Sequence, residues 1–311
     1  AEANRLLSRR MTWGVAVATL LIVAFVGWTM TQMLAPPSAE QVAQAQQAYQ
    51  QMQADIADHK DEMLAQCAAD GTPADKCLPT LESMLPSAPT HAVAMDSATS
   101  GGMMLGGLAA LVLGASFIGA EYRSGSLGNW LTFVPRRGRV FAAKAIVVAL
   151  ASLVIGAVVI GGLGALTTVV YTGFYPKAVL APHAWEAAAR AVLVVTAEGL
   201  VGFAIGLVAR HSVAAIGIAF GAQIVESILS GVATAANQHW LMDWLPGTNV
   251  NAFVQYGYTY EIPVFKMTPT GSTVDMVSKT WPFANGAAYV GVAVVLIVGG
   301  AFLVFRRRDV Q

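Results

Sequence analysis

Two carboxylates stand where a hydrophobic sequence should not hold them. Glu198 and Glu226 each fall in the middle third of a long apolar run. An ionisable side chain inside a membrane-spanning segment is costly enough to be a functional candidate by default. Glu226 has company: Gln223, Glu226, Ser227, Ser230 and Thr234 follow one another at i, i+3, i+4, i+7 and i+11, which is one stripe on a helix. Such a face cannot look at lipid. It either lines a polar path or seals a helix contact with hydrogen bonds. Glu198 lies beside Gly199 and Gly202, a pattern that suits tight packing, so pairing and transport both stay open for it. The candidate path residues are Glu198, Gln223, Glu226, Ser227 and Ser230.

Other chemistries find little support. His59, His91, His183, His211 and His239 are scattered without ligand spacing, so no metal is expected. No Ser/His/Asp, His-x-x-x-His or paired-carboxylate arrangement suggests catalysis, and no cofactor is expected in this chain. The two cysteines, Cys67 and Cys77, flank an Asp70-Gly71-Thr72-Pro73 turn. On the outside of a cell this spacing favours a disulfide over a metal pair or a reactive thiol.

The elements that must hold these residues follow from composition. Of 311 residues, 56% are hydrophobic and 12% charged, about half the charge of an ordinary soluble domain. A water-soluble enzyme with one buried core is excluded. Lys+Arg and Asp+Glu both total 18, so no basic field points to nucleic acid. A hydrocarbon core of ~30 Å needs about 20 apolar residues, and six stretches qualify: 11–34, 97–120, 140–171, 187–208, 213–235 and 285–305. The first is too long for a signal peptide's hydrophobic region and reads as a retained span. Trp13, Trp28, Trp185 and Trp281 fall at span ends, where aromatic anchors belong.

With a cytoplasmic N-terminus, twelve Lys and Arg fall inside and six outside, the bias expected of a multi-pass protein with both ends in the cytoplasm. The expected organisation is an all-α membrane protein. It has an amphipathic lead-in at 1–10, an extracellular helical hairpin at 35–96, a cytoplasmic element at 121–139 and a tail at 306–311. Between the last two spans, 236–284 should hold a re-entrant or interfacial helix carrying Trp240, Leu241, Trp244 and Leu245, ended by Pro246-Gly247. Tyr256, Tyr258 and Tyr260 alternate after it, as in a strand or an irregular stretch. In the outer hairpin, a long helix capped by Ser38 should be followed by a turn and a short helix over 78–85.

The cytoplasmic element is the most specific string. It reads Glu121-Tyr122-Arg123-Ser124-Gly125-Ser126-Leu127-Gly128-Asn129-Trp130-Leu131-Thr132-Phe133-Val134-Pro135-Arg136-Arg137-Gly138-Arg139, with Lys144 beyond. Leu127, Trp130, Leu131 and Val134 make a short apolar helical face, closed by a proline and a basic cluster. That cluster fits acidic residues of a partner as well as lipid phosphates.

This string resembles the signature of the type-2 ABC exporter permeases, in which Glu-x-x-x-Gly-Ser/Thr-Leu, then Pro-Arg-Arg and a downstream Lys, join the second and third helices. The basic lead-in Asn4–Arg10 and the ending Phe305-Arg306-Arg307-Arg308 are similar to that family's ends. The resemblance implies two permease subunits, as a homodimer or heterodimer, working with two ATPase subunits. It implies a coupling element carrying Glu121, Arg123, Gly125, Leu127, Trp130, Leu131, Pro135, Arg136 and Arg137, and a central cavity bordered by the second and fifth helices. No Gly-x-x-x-x-Gly-Lys-Ser/Thr run occurs, so ATP and Mg would sit on the separate ATPase. The expected function is export of an amphipathic or hydrophobic compound (drug, peptide or lipid) across the cell membrane. The rival reading is a membrane sensor or immunity protein whose outer hairpin binds a ligand.

Overall fold

The computed structural model describes residues 2–8, 10–69, 77–85, 89–126, 136–236, 238–268 and 271–307. A short helix, α1 (Glu2–Leu7), leads into the first long apolar helix, α2 (Arg10–Leu34). Pro36 and Pro37 follow its end, as expected of residues that cannot continue a helix. The chain restarts as α3 (Ala39–Ala69). Gln41 N–H donates to Ser38 Oγ at 3.2 Å and Ser38 N–H donates to Gln41 Oε1 at 2.8 Å, a reciprocal capping box.

The return arm of the outer hairpin is shorter than its sequence suggests. The expected helix over 78–85 is a single turn, α4 (Leu81–Met84), because Pro79 and Pro86 bracket a stretch too short to propagate. Cys77 Sγ lies 3.7 Å from the Met63 carbonyl oxygen, which sets this arm against α3. The Asp70–Pro73 turn and the side chain of Cys67 lie outside the described residues.

Five further long helices follow: α5 (His91–Arg123), α6 (Arg137–Phe174), α7 (Ala184–Ala209), α8 (Ser212–Ala235) and, closing the chain, α10 (Phe283–Arg307). With α2 they make six helices long and apolar enough to cross a membrane. α5 and α6 overrun the apolar stretches because polar residues such as His91, Asp96, Arg137 and Arg139 continue the helix past the hydrocarbon. Thr90 caps α5, accepting from Val93 N–H.

The centre of the molecule is α5, α6 and α7, packed through small residues. A methyl group on Gly114 would fall 2.2 Å from the Gly199 carbonyl oxygen, and one on Gly202 would fall 2.3 Å from that of Leu111. Close backbone approach of this kind is what small residues permit between membrane helices. Gly217 and Gly221 of α8 meet open space instead, so that pattern packs nothing within the chain. One aromatic cluster, Phe141 with Phe203 and Phe302 at 5.4 and 5.1 Å, ties α6, α7 and α10 together. Leu6 of α1 is buried in the same core. The ends of the long helices that meet here define the terminal face of the molecule.

The opposite face carries a crown that departs from expectation. His239–Trp244 is a 3-10 turn, and Pro246-Gly247 does not end it. Pro246 instead opens α9 (Pro246–Val254), because proline suits the first helical position, where no N–H partner is needed. Trp240 and Trp244 are exposed while Leu245 is buried, so the four residues do not share one covered face. Beyond α9 the chain forms an antiparallel hairpin of β1 (Tyr258–Thr268) and β2 (Gly271–Trp281), paired from Tyr258↔Trp281 to Thr268↔Gly271. The alternating tyrosines are strand residues. The membrane portion is all-α, and this hairpin outside it is the one sheet among the described residues.

Candidate functional site

Helix α8 puts its polar stripe against the crown. Gln223, Glu226, Ser227 and Ser230 line a cavity of about 410 Å³ with Met242, Leu245, Gly247, Thr248, Asn251, Tyr258 and Tyr260. Glu226 Oε1 accepts the backbone N–H of Gly247, at the start of α9, where unsatisfied donors and the helix dipole favour an anion. Gln223 and Ser227 are exposed to the cavity side. Thr234, the last residue of the stripe, turns its hydroxyl back to the Ser230 carbonyl oxygen at 3.0 Å and is not part of the lining.

Polar contacts from several elements brace the cavity. Asp243, on the 3-10 turn, accepts from Lys279 Nζ at 2.7 and 2.6 Å and from the Tyr260 hydroxyl at 2.9 Å. Burial pushes the Tyr260 phenol up from its ordinary value, and donation to Asp243 pushes it further. Asn249 Nδ2 donates to the carbonyl oxygens of Asp243 and Leu245 at 2.8 and 2.9 Å, while its Oδ1 accepts from Trp281 Nε1 at 3.0 Å. The 3-10 turn, α9 and both strands are thereby clamped over the end of α8. Asp243, Asn249, Lys279 and Trp281 did not announce themselves in the sequence. Lys279 counted there only as a charge, and Trp281 only as an anchor. The signal missed was the pairing of two strands, which brings residues 36 apart to one carboxylate.

Glu198 does not join this cavity. It is wedged between α7 and α5, and a methyl on Gly107 would fall 1.6 Å from its Oε2. That oxygen is buried with no hydrogen-bond partner among the described residues. The neighbouring glycines of α7 touch α5 and α6, so Glu198 sits in a tightly packed helix contact, but no pairing partner for Oε2 is found among the described residues.

The terminal face tells a different story for the basic signature. Glu121 is 1% exposed, and Lys144 Nζ lies 2.8 Å from its Oε1 and 2.7 Å from its Oε2. The ammonium also stands 5.2 Å from the Phe117 ring centroid. Glu121, expected to belong to the coupling element, is sealed against a lysine inside the chain and presents no exposed carboxylate. It fixes the end of α5 to α6. Arg137 is likewise turned inward, donating to the Phe305 and Arg306 carbonyl oxygens at 3.4 and 3.3 Å. There it satisfies C-terminal groups of α10 that no helix turn can. Arg136 and Arg139 are exposed. Gly125 has φ +66°, a left-handed turn that glycine adopts without strain and that redirects the chain out of α5. Leu127, Trp130, Leu131 and Pro135 lie outside the described residues.

A pattern of six apolar spans, a carboxylate–lysine strut at one face and a polar pocket under a crown at the other is shared by more than one membrane architecture. The comparison with known families decides between them. A model of the ABC-2 family transporter proteins matches residues 1–310, essentially the whole chain. The chain belongs to the ABC-2 transporter family. It is therefore a membrane permease component of an ABC transporter, a transmembrane subunit that partners an ABC ATPase. No curated protein and no solved structure gives a significant match. Seen as an ABC-2 permease, the molecule divides into a terminal face with a buried Glu121–Lys144 pair and a crown face with a polar cavity.

Proposed function

We propose that this permease exports an amphipathic or hydrophobic compound, with the polar face of α8 bordering the route and the crown forming its outer end. The observation that carries the reading is the cavity between α8 and the crown. Gln223 and Ser227 present polar groups on a helix that is otherwise among the most exposed in the chain. Polar side chains on the surface of a membrane helix need water, a substrate or a facing subunit. Glu198 is not included in the route.

The other parts follow from this reading. Both termini and the twelve Lys and Arg of the inner segments lie on the cytoplasmic side of the cell membrane, and a second permease subunit faces α8. ATP and Mg are held by two ATPase copies, which dock on the 121–139 element. In that element Trp130, Leu127 and Leu131 make the apolar contact, while Arg136 and Arg139 add charge at its base. The outer turn is closed by a Cys67–Cys77 disulfide, supported by the position of Cys77 against α3.

The test is purification of the tagged chain from native membranes. The expected result is recovery with an ATPase in equal amount, and loss of that ATPase or of coupled ATP turnover in Trp130→Ala, since an aromatic anchor at an interface can be worth ≥ 2 kcal/mol. Isolation without any ATPase, or unchanged coupled turnover in Trp130→Ala, contradicts the proposal.

A further inference from the structure

Helices α2 and α6 touch along only half their length. Toward the crown they are packed: Val23 and Val26 of α2 lie against a core that includes Val159 and Leu163 of α6, and a methyl on Gly27 would fall 2.5 Å from Leu166 Cδ2. Toward the terminal face they diverge. Val15, Thr19 and Leu20 on one wall and Val147, Leu150 and Val154 on the other line an open, almost wholly apolar cleft of about 410 Å³. Helix α1 is fixed across the cleft's end. Thr12 Oγ1 donates to the Leu6 carbonyl oxygen at 2.7 Å, and Trp13 Nε1 donates to that of Leu7 at 2.8 Å. Leu6, Thr12 and Leu113 also line a second, smaller cavity of about 120 Å³, together with Ser116, Arg123 and Ser212. A basic, hydroxyl-bearing cavity thus adjoins the apolar cleft across a shared wall.

We propose that this cleft is a binding site for one anionic glycerophospholipid, with an acyl chain between α2 and α6 and the phosphate at Arg123. Length, charge and position agree. The wall from Val147 to Val159 rises about 18 Å at 1.5 Å per residue, close to the ~15 Å depth of one leaflet of a ~30 Å hydrocarbon core. The cleft opens on the flank of a membrane helix, where acyl chains are the solvent. Arg123 is exposed and donates to Ser212 Oγ at 3.5 Å, which holds its planar fork at the mouth, and such forks suit phosphate oxygens. Ser212 opens α8 without any side-chain cap, so backbone donors and the dipole of a 24-residue helix add to the field there. An inorganic anion would use only the basic end and leave the apolar cleft unexplained. Arg123, expected from the signature to meet the ATPase, is assigned to the lipid instead. The lipid is a resident component, independent of what is exported.

The test uses the purified permease–ATPase complex, exchanged in detergent with palmitoyl-oleoyl phosphatidylglycerol, with the matching phosphatidylcholine, or with inorganic phosphate, and read by native mass spectrometry. The expected result is about one tightly held phosphatidylglycerol per permease chain, with phosphatidylcholine held roughly tenfold less: both offer a phosphate, but the choline cation of the latter places a like charge near Arg123. Arg123→Gln should erase that preference. Val154→Trp, which fills the cleft, should release both lipids while the ATPase stays bound. Should Val154→Trp fail to assemble, Ala151→Leu narrows the same cleft and is read in its place. Undiminished phosphatidylglycerol in the cleft-filling variant, displacement by inorganic phosphate alone, or no retained lipid in the unaltered complex would each overturn the proposal.

Discussion

Glu121 and Glu226 are the same side chain in opposite circumstances. Glu121 is sealed at the terminal face, with both oxygens within 2.8 Å of Lys144 Nζ and the residue 1% exposed. Glu226 borders an open cavity and meets one backbone N–H. The difference teaches where a membrane carboxylate can do work. A buried ion pair has no freedom to change partners, so Glu121 serves as a strut that holds α5 to α6 at the terminal face. Glu226 keeps an open side. Its carboxylate is not enclosed by the fold.

The largest effect should come from breaking the strut. Lys144→Ala leaves Glu121 buried without its cation, and removing one partner of a buried pair costs about 3–5 kcal/mol. Thermal unfolding of the purified complex should fall accordingly, or the protein should fail to accumulate. The joint replacement Glu121→Gln with Lys144→Met should recover most of that loss, since an uncharged pair of similar size avoids the stranded charge. If Lys144→Ala is as stable as the unaltered protein, the strut reading fails.

Packing between the two carboxylates comes next. Gly202→Leu must push α7 from the Leu111 backbone, and overpacking of this kind costs typically 1–3 kcal/mol. Gly217→Leu, which meets open space within the chain, should leave stability of the isolated chain almost unchanged. Equal melting temperatures for the two variants would contradict the three-helix core.

At Glu226 the expected losses separate charge from shape. Glu226→Ala removes the acceptor for Gly247 N–H and should lower stability by about 1–2 kcal/mol. Glu226→Gln keeps an acceptor oxygen and should melt within about 0.5 kcal/mol of the unaltered protein, while export rate or substrate preference changes. Full export by both variants would defeat the path reading.

The smallest effect belongs to the crown clamp. The Asp243–Lys279 pair is partly exposed, with side chains 15% and 36% accessible, so Asp243→Asn should cost about 1 kcal/mol or less. Tyr260 adds a pH signature. Its phenol is raised in the fold, so its contribution is complete below the unfolded value of about 10 and is lost as pH rises through the folded value. Stability should decline more steeply above pH ~10 in the unaltered protein than in Tyr260→Phe. Identical alkaline slopes would remove Tyr260 from the clamp.

Much of this architecture could be read from residue patterns, because a bilayer imposes a simple rule of length and hydropathy on every span. The stripe on α8 was equally readable: period-3.6 polarity stands out against an apolar background. The partner of Glu121 was hidden by distance in sequence, since a carboxylate and a lysine 23 residues apart look like two surface charges until α5 and α6 fold back together. The crown was the hardest region. Pro246 can stop a helix or start one, and only the tertiary placement of Leu245 decides. The β1–β2 register, which brings Lys279 to Asp243, depends on strand pairing that leaves no local mark. Glu198 was ambiguous because a glycine-flanked carboxylate fits pairing and transport alike, and its place against Gly107 depends on how α5 and α7 pack.

The central claim, that the polar face of α8 borders a water-accessible route driven by ATP, can be tested without knowing the cargo. Ser227→Cys on α8 and Val295→Cys on α10 are both exposed positions, one facing the cavity and one on an apolar helix surface. In membranes containing the ATPase, reaction with a charged, membrane-impermeant maleimide is followed with and without ATP plus vanadate. The account predicts that Ser227→Cys is labelled, that its rate changes on nucleotide trapping, and that Val295→Cys stays unlabelled throughout. Labelling of Ser227→Cys no faster than Val295→Cys in every nucleotide state would contradict it.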